Sequence, residues 1–235
     1  MYKRQVDENT ESENVVLLMH GNPTWGYLYR NMINPLKESG YRVIVPDLPG
    51  FGKSKSLENS LSPFEYATYL NDIIPPEINT FVGHSFGGRV AVHLSFLREI
   101  NNLVLIGVPL LRITPKKRFV NKLTLFKNLN KFGLVSSATV ESIKNKTGSF
   151  DYRNSQGVMR ETLVKAVNDD LEDKLPNIKS NVKLVWGEND MDVPVSIAEK
   201  SQKLISNSEL TIIPNQGHNM LRSNPISVFE VLKSL

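Results

Sequence analysis

Apolar and polar positions follow two alternating rhythms along this chain. A short apolar run at 14–19, with Val15-Val16-Leu17-Leu18-Met19 at its heart, stops at His20-Gly21 and predicts a buried strand. Residues 27–36 place Leu28, Met32, Ile33 and Leu36 at helical spacing. A second strand is predicted at 41–45, ended by Pro46 and the turn-rich Asp47-Leu48-Pro49-Gly50-Phe51-Gly52. A helix follows at 63–70, with Ser62 as N-cap and proline at its first position. The third strand, 80–82, runs directly into Gly83-His84-Ser85-Phe86-Gly87-Gly88 and a helix at 86–97. A fourth strand is expected at 103–106. After a long interruption the alternation resumes, with strands at 182–186 and 210–213 and helices at 194–205 and 225–235. Strands alternating with helices imply an α/β fold whose mostly parallel sheet is covered on both faces.

The interruption, 111–180, reads as mostly helical and carries its own charge. It holds fourteen lysines and arginines against seven acids, whereas the whole chain is only +4. From Arg112 to Lys131 there are seven basic residues and no acid. A solvated basic face on a helical insert explains this block better than a nucleic-acid surface. Phe119, Leu123, Phe126 and Leu129 fit a lid packing over a site better than a membrane anchor.

At 40% hydrophobic and 22% charged residues, the 235-residue chain can bury a sizeable core without staples. No apolar run approaches the ~18 residues of a spanning helix, and no secretory signal is recognisable. The absence of cysteine excludes disulfides, thiolate zinc sites and cysteine nucleophiles, and fits a reducing, cytoplasmic setting. Met1-Tyr2-Lys3-Arg4-Gln5 resembles a translated transposon end, in which case upstream strands, or a leader, are missing; a genuine short basic start is the alternative.

Candidate chemistry gathers at three strand ends. Gly83–Gly87 matches G-x-S-x-G between a strand and a helix, the context in which that pattern exposes a nucleophilic serine on a tight turn. Ser85 then needs a general base. Of His20, His84, His93 and His218, only His218 follows both a late strand and a plausible acid. His84 abuts the serine but is expected to point elsewhere, and His93 to be packed or solvated inside its helix. Asp190, on the loop after strand 182–186, is the favoured acid; Asp192 stays open as the alternative. The fourth strand offers no carboxylate at its end. Oxyanion donors are expected from the backbone N–H groups of Phe86 and Asn22. Asp47 reads as a turn residue. Trp25 either lines an acyl pocket or wedges its loop, and joins Leu110 and Met220 as the expected substrate contacts. No phosphate loop, metal spacing or nucleic-acid motif is evident.

His20-Gly21-Asn22-Pro23-Thr24-Trp25, Asp47–Ser54, the Ser85 turn, the Asp190 loop and Gly217-His218 together resemble the α/β-hydrolase fold superfamily, in its haloalkane dehalogenase and epoxide hydrolase-like branch. The resemblance covers about two thirds of the chain. It implies a hydrolase core over 1–110 and 181–235 with a helical cap inserted at 111–180. The departure is chemical: that branch uses an aspartate nucleophile, usually followed by tryptophan, where this chain has Ser85 and Phe86. Serine attacks an acyl carbonyl, so a cofactor-free and metal-free serine hydrolase of an ester-like small-molecule substrate is expected. A lactonase, C–C-bond hydrolase or acyltransferase with the same triad is the alternative, as is a non-catalytic ligand-binding member of the fold.

Overall fold

The computed structural model describes residues 12–112 and 155–233 continuously, with isolated positions between 125 and 139. Most of the expected cap therefore lies outside the described residues, including Phe119 and Leu123. The described strands are β1 (Val15–Met19), β2 (Arg42–Ile44), β3 (Thr80–His84), β4 (Asn102–Ile106), β5 (Asn181–Gly187) and β6 (Ser208–Ile213). They form one parallel sheet in the order β2-β1-β3-β4-β5-β6. Every C-terminal strand end thus points to the same sheet edge, where ligands bind in open α/β sheets.

Seven helices are described: α1 (Arg30–Glu38), α2 (Pro63–Ile73), α3 (Phe86–Leu97), α4 (Gly157–Asn168), α5 (Val195–Leu204), α6 (Met220–Ser223) and α7 (Pro225–Leu232). None of the described helices is long and apolar enough to cross a membrane. Alternation along each strand divides the core in two. Leu17, Met19, Phe81, Leu103, Leu105 and Trp186 pack on one side with residues of α2, α3 and α5. Val16, Leu18, Val82, Val104, Ile106 and Val185 pack on the other with α1, α6 and α7. Both faces of the inner strands β1, β3 and β4 are buried, which is why they read as continuous apolar runs.

Local signals set the helix ends. Ser62 accepts the Glu65 N–H while the Glu65 carboxylate accepts the Ser62 N–H, a capping box around Pro63. The helix expected at 27–36 is instead a 3₁₀ turn, Gly26–Tyr29, followed by α1. It runs on to Glu38 because Gly40, at φ +88°, closes it: the Gly40 and Tyr41 N–H groups donate to Lys37 and Leu36.

The most crowded contact lies where α3 meets the sheet. A Cβ on Gly83 would come 2.4 Å from the Cα of Gly88, and one on Gly87 would come 2.3 Å from the carbonyl oxygen of Met19. Both obstacles are backbone and cannot swing aside. Gly83→Ala is therefore expected to cost about 2–3 kcal/mol of stability, measured by urea unfolding. A change within about 0.5 kcal/mol, the range of an ordinary surface substitution, would contradict this packing.

Candidate active site

Ser85 is the single residue between β3 and α3, and its backbone is held at φ +50°, ψ −113°. A non-glycine residue rarely stays at positive φ unless its surroundings enforce it. Here they do. The Ser85 N–H donates to the Ile106 carbonyl of β4 at 3.0 Å, and its carbonyl accepts from Gly88 and Arg89 at 3.1 and 3.3 Å. The close glycine contacts fix the turn from below. Phe86 opens α3, so its N–H has no carbonyl to donate to within the helix.

His218 and Asp190 meet beside this turn. His218 Nδ1 lies 2.8 Å from Asp190 Oδ2. The other carboxylate oxygen, Oδ1, accepts the Asp192 and Val193 N–H groups at 3.0 and 2.7 Å, so the buried carboxylate is fully engaged. Loop contacts place the pair: Asn189 donates to the Gln216 carbonyl, and the Glu188 carboxylate accepts the Asn215 N–H. A Cβ on Gly107, next to the Ile106 that holds Ser85, would sit 3.1 Å from His218 Nδ1 and 3.2 Å from Asp190 Oδ2. The imidazole thus lies over the end of β4, adjoining the serine turn. With Nδ1–H tied to a carboxylate, Nε2 is left as an acceptor, the state in which a histidine takes a proton from a hydroxyl.

His84 is turned toward the loop that carries His218. Its Nε2 donates to the His218 carbonyl at 2.9 Å, and the two rings stand 4.9 Å apart. Its buried Nδ1 has no hydrogen-bond partner and rests against Gly21. Burial, followed by the nearby His218, pushes the His84 pKa down to about 3. His20 is also buried and pushed down to about 4; its Nε2 accepts the Leu48 N–H and its Nδ1–H donates to the Gly21 carbonyl. Both rings are neutral when folded and bind protons near pH 6.5 when unfolded. The stability they contribute is complete above about pH 6.5 and is lost as pH falls toward their folded values. Between pH 6.5 and 5, each is expected to lower the unfolding free energy by on the order of 1 kcal/mol per pH unit. Urea titrations of His84→Gln should show roughly half the wild-type slope over that window, and an unchanged slope would contradict the burial account.

The loop after β1 forms the opposite wall. A Cβ on Gly21 would lie 3.1 Å from the Ser85 Cβ, so the Gly21-Asn22 backbone runs alongside the serine. Asn22, Phe51, Phe86, Met159, Thr162 and Leu163 line a gap here, a crevice too narrow to hold a water molecule as it stands. The Asn22 side-chain Nδ2 is buried there without a partner, a donor left for whatever enters. Of the expected substrate contacts, Trp25 is half-exposed and stacked on Tyr27, with its Cβ against Gly52. Leu110 and Met220 are fully buried in the two core clusters, one on each face of the sheet. Neither lines the gap. Asp47 organises turns: its carboxylate accepts the Gly26 and Lys53 N–H groups at 2.9 and 2.8 Å.

Asp190, Asp192 and His218 place three donor atoms within 4.8 Å of one another. Asp190 and His218 already bond to each other, and Asp190 Oδ1 takes two backbone N–H groups. A cation would have to break those bonds, so this donor set fits a shared proton better than an ion.

Comparison with known proteins agrees with this architecture. Residues 14–126, from the first strand through the serine turn and past β4, match the family model described as the α/β hydrolase fold. The chain has the α/β-hydrolase fold. Among similar curated proteins is the 2-hydroxy-6-oxononadienedioate/2-hydroxy-6-oxononatrienedioate hydrolase of Escherichia coli O139:H28, 29% identical over 88% of this chain and 82% of that protein. Solved structures with the same fold include an esterase from Exiguobacterium antarcticum, 21% identical with a TM-score of 0.74 over 99% of this chain and 93% of that one. MenH from S. aureus is 23% identical, with a TM-score of 0.70 over 99% and 96%.

Sequence reasoning missed two features of this α/β hydrolase. One is the His84 contact with His218. The other is a polar group one and two turns along α3, where the buried Arg89 and His93 meet the partly buried Asp169. Arg89 and His93, four apart in an otherwise apolar helix, were the available signal.

Proposed function

We propose that this α/β hydrolase is a serine hydrolase of ester-like acyl bonds, acting through an acyl-enzyme without a cofactor. Ser85 Oγ attacks the acyl carbonyl while His218 Nε2 takes its proton. The oxyanion that forms is held by the N–H groups of Phe86 and Asn22. Collapse breaks the bond to the leaving group, which receives the proton from His218. Water, deprotonated by the same imidazole, then releases the acid and frees Ser85. Asp190 keeps Nδ1 protonated and stabilises the imidazolium. The observation that carries this reading is the buried Asp190–His218 hydrogen bond beside a strained serine turn. In the same reading, residues 111–180 form a cap whose α4 closes the acyl gap, and its basic stretch steers anionic substrates inward.

The test is product analysis on p-nitrophenyl esters, with water alone and with an added alcohol. Free acid as the main product in both, together with labelling by a fluorophosphonate, is expected. Ester product at the expense of acid would make the chain an acyltransferase. No turnover and no labelling would remove the serine hydrolase reading. The E. coli relative favours a second reading, hydrolysis of a 2-hydroxy-6-oxo dienedioate. A kcat/KM on such a substrate at least about tenfold above the best ester would establish it instead.

A further inference from the structure

Two buried polar side chains unused by this mechanism meet a partly buried carboxylate where α3 meets the end of α4. Arg89 and His93 lie four and eight residues beyond Ser85, on one face of the nucleophile helix. Both are almost fully buried. Asp169 is the C-cap of α4. Its carboxylate lies 2.9 and 3.1 Å from His93 Nε2 and 3.8 Å from the Arg89 guanidinium, and its backbone carbonyl accepts a hydrogen bond from Arg89 Nη1. Phe64 covers His93 edge-on, with ring centroids 5.7 Å apart. A cation donating to the carbonyl end of a helix also meets the negative pole of its dipole.

The other end of the same helix closes the gap above Phe86, through Met159, Thr162 and Leu163. Met159 Sδ would lie 2.6 Å from a Cβ on Gly50, so α4 sits tight on the turn after β2. Its remaining polar anchors are weaker. Lys165 reaches the Ser60 carbonyl and Glu65 through half-exposed groups, and Thr162 accepts the Leu61 N–H at 3.2 Å. Exposed pairs of that kind hold a geometry poorly, whereas removing one member of a buried charged pair is strongly unfavourable.

We propose that Asp169 is a positioning residue: clamped by Arg89 and His93 on the nucleophile helix, it fixes the height of α4 above the acyl gap and so restricts the pocket to short acyl groups. The proposal rests on Ser85 being the nucleophile. It differs from a purely stabilising ion cluster in what it controls, because the clamp joins the roof of the pocket to the helix that carries the serine. Loosening it widens the gap without moving Ser85, His218 or Asp190.

The experiment compares wild type with Asp169→Asn in two ways. The first is amide hydrogen exchange over residues 157–168. The second is kcat and KM for p-nitrophenyl esters from acetyl to octanoyl. Faster exchange across α4 is expected. So is an octanoyl-to-acetyl ratio of kcat/KM raised at least about fivefold, mainly through KM, with kcat on the best ester within about twofold. Unchanged exchange overturns the proposal, as does a loss of activity equal at every chain length, the mark of a merely structural role. A wild type inert to fluorophosphonate overturns the serine reading and the acyl-pocket role with it; the exchange arm then still decides whether the clamp holds α4. Should Asp169→Asn not fold, Arg89→Lys keeps the buried charge while losing the guanidinium fork, and the same directions are expected of it.

Discussion

Ser85→Ala should lower kcat on p-nitrophenyl acetate by about four to six orders of magnitude, because in the proposed mechanism the removed oxygen is the atom that forms the acyl bond. The residual rate would come from the oxyanion donors and from binding, which the substitution leaves in place. Alanine carries a Cβ as serine does, so the φ +50° turn is no more strained in the variant than in the wild type. A melting temperature near that of the wild type should therefore accompany the lost activity and the lost fluorophosphonate labelling. Steady-state kinetics and a thermal melt on the same preparation check both points. Turnover within about tenfold of wild type would assign the chemistry to another residue.

Asp190→Asn is the second large effect. The carboxylate accepts the proton-bearing Nδ1 of His218, and an amide turned the other way would donate to Nδ1 instead. The imidazole would then carry its proton on Nε2, where it cannot accept one from Ser85. A loss in kcat of about 10⁴ is expected. Asp192, exposed and without that bond, is the internal comparison: Asp192→Asn should change kcat by less than about threefold. An Asp192 effect equal to or larger than that of Asp190 would reverse the assignment.

Much of this architecture was legible because both faces of the inner strands are buried. Strands such as 15–19 and 103–106 are apolar on every residue, and each ends in glycine or proline chemistry that a buried strand cannot contain. Gly83 and Gly87 announced the serine turn through the space they leave, and the structure shows the backbone atoms that fill it. What the pattern could not show was contact between distant segments. His84 looks like a turn residue until the 215–219 loop folds back over it and offers its carbonyl. Asp169 looks like one of several surface acids until α4 brings it onto α3. Leu110 and Met220 lie next to candidate site loops in sequence, but proximity along the chain did not disclose that each turns into the core. The choice between Asp190 and Asp192 had the same character: two residues of spacing separate them, and only the return of His218 to the end of β4 distinguishes their roles.

Rapid acid quench of the protein during turnover of an activated acyl ester, followed by peptide mass spectrometry, tests the nucleophile most directly. The expected result is one acyl adduct, on the peptide containing Ser85, that accumulates in Asp190→Asn or His218→Ala only far more slowly than in wild type. Steady hydrolysis with no adduct on that peptide, or an adduct elsewhere that forms equally fast in Ser85→Ala, would contradict the acyl-enzyme account.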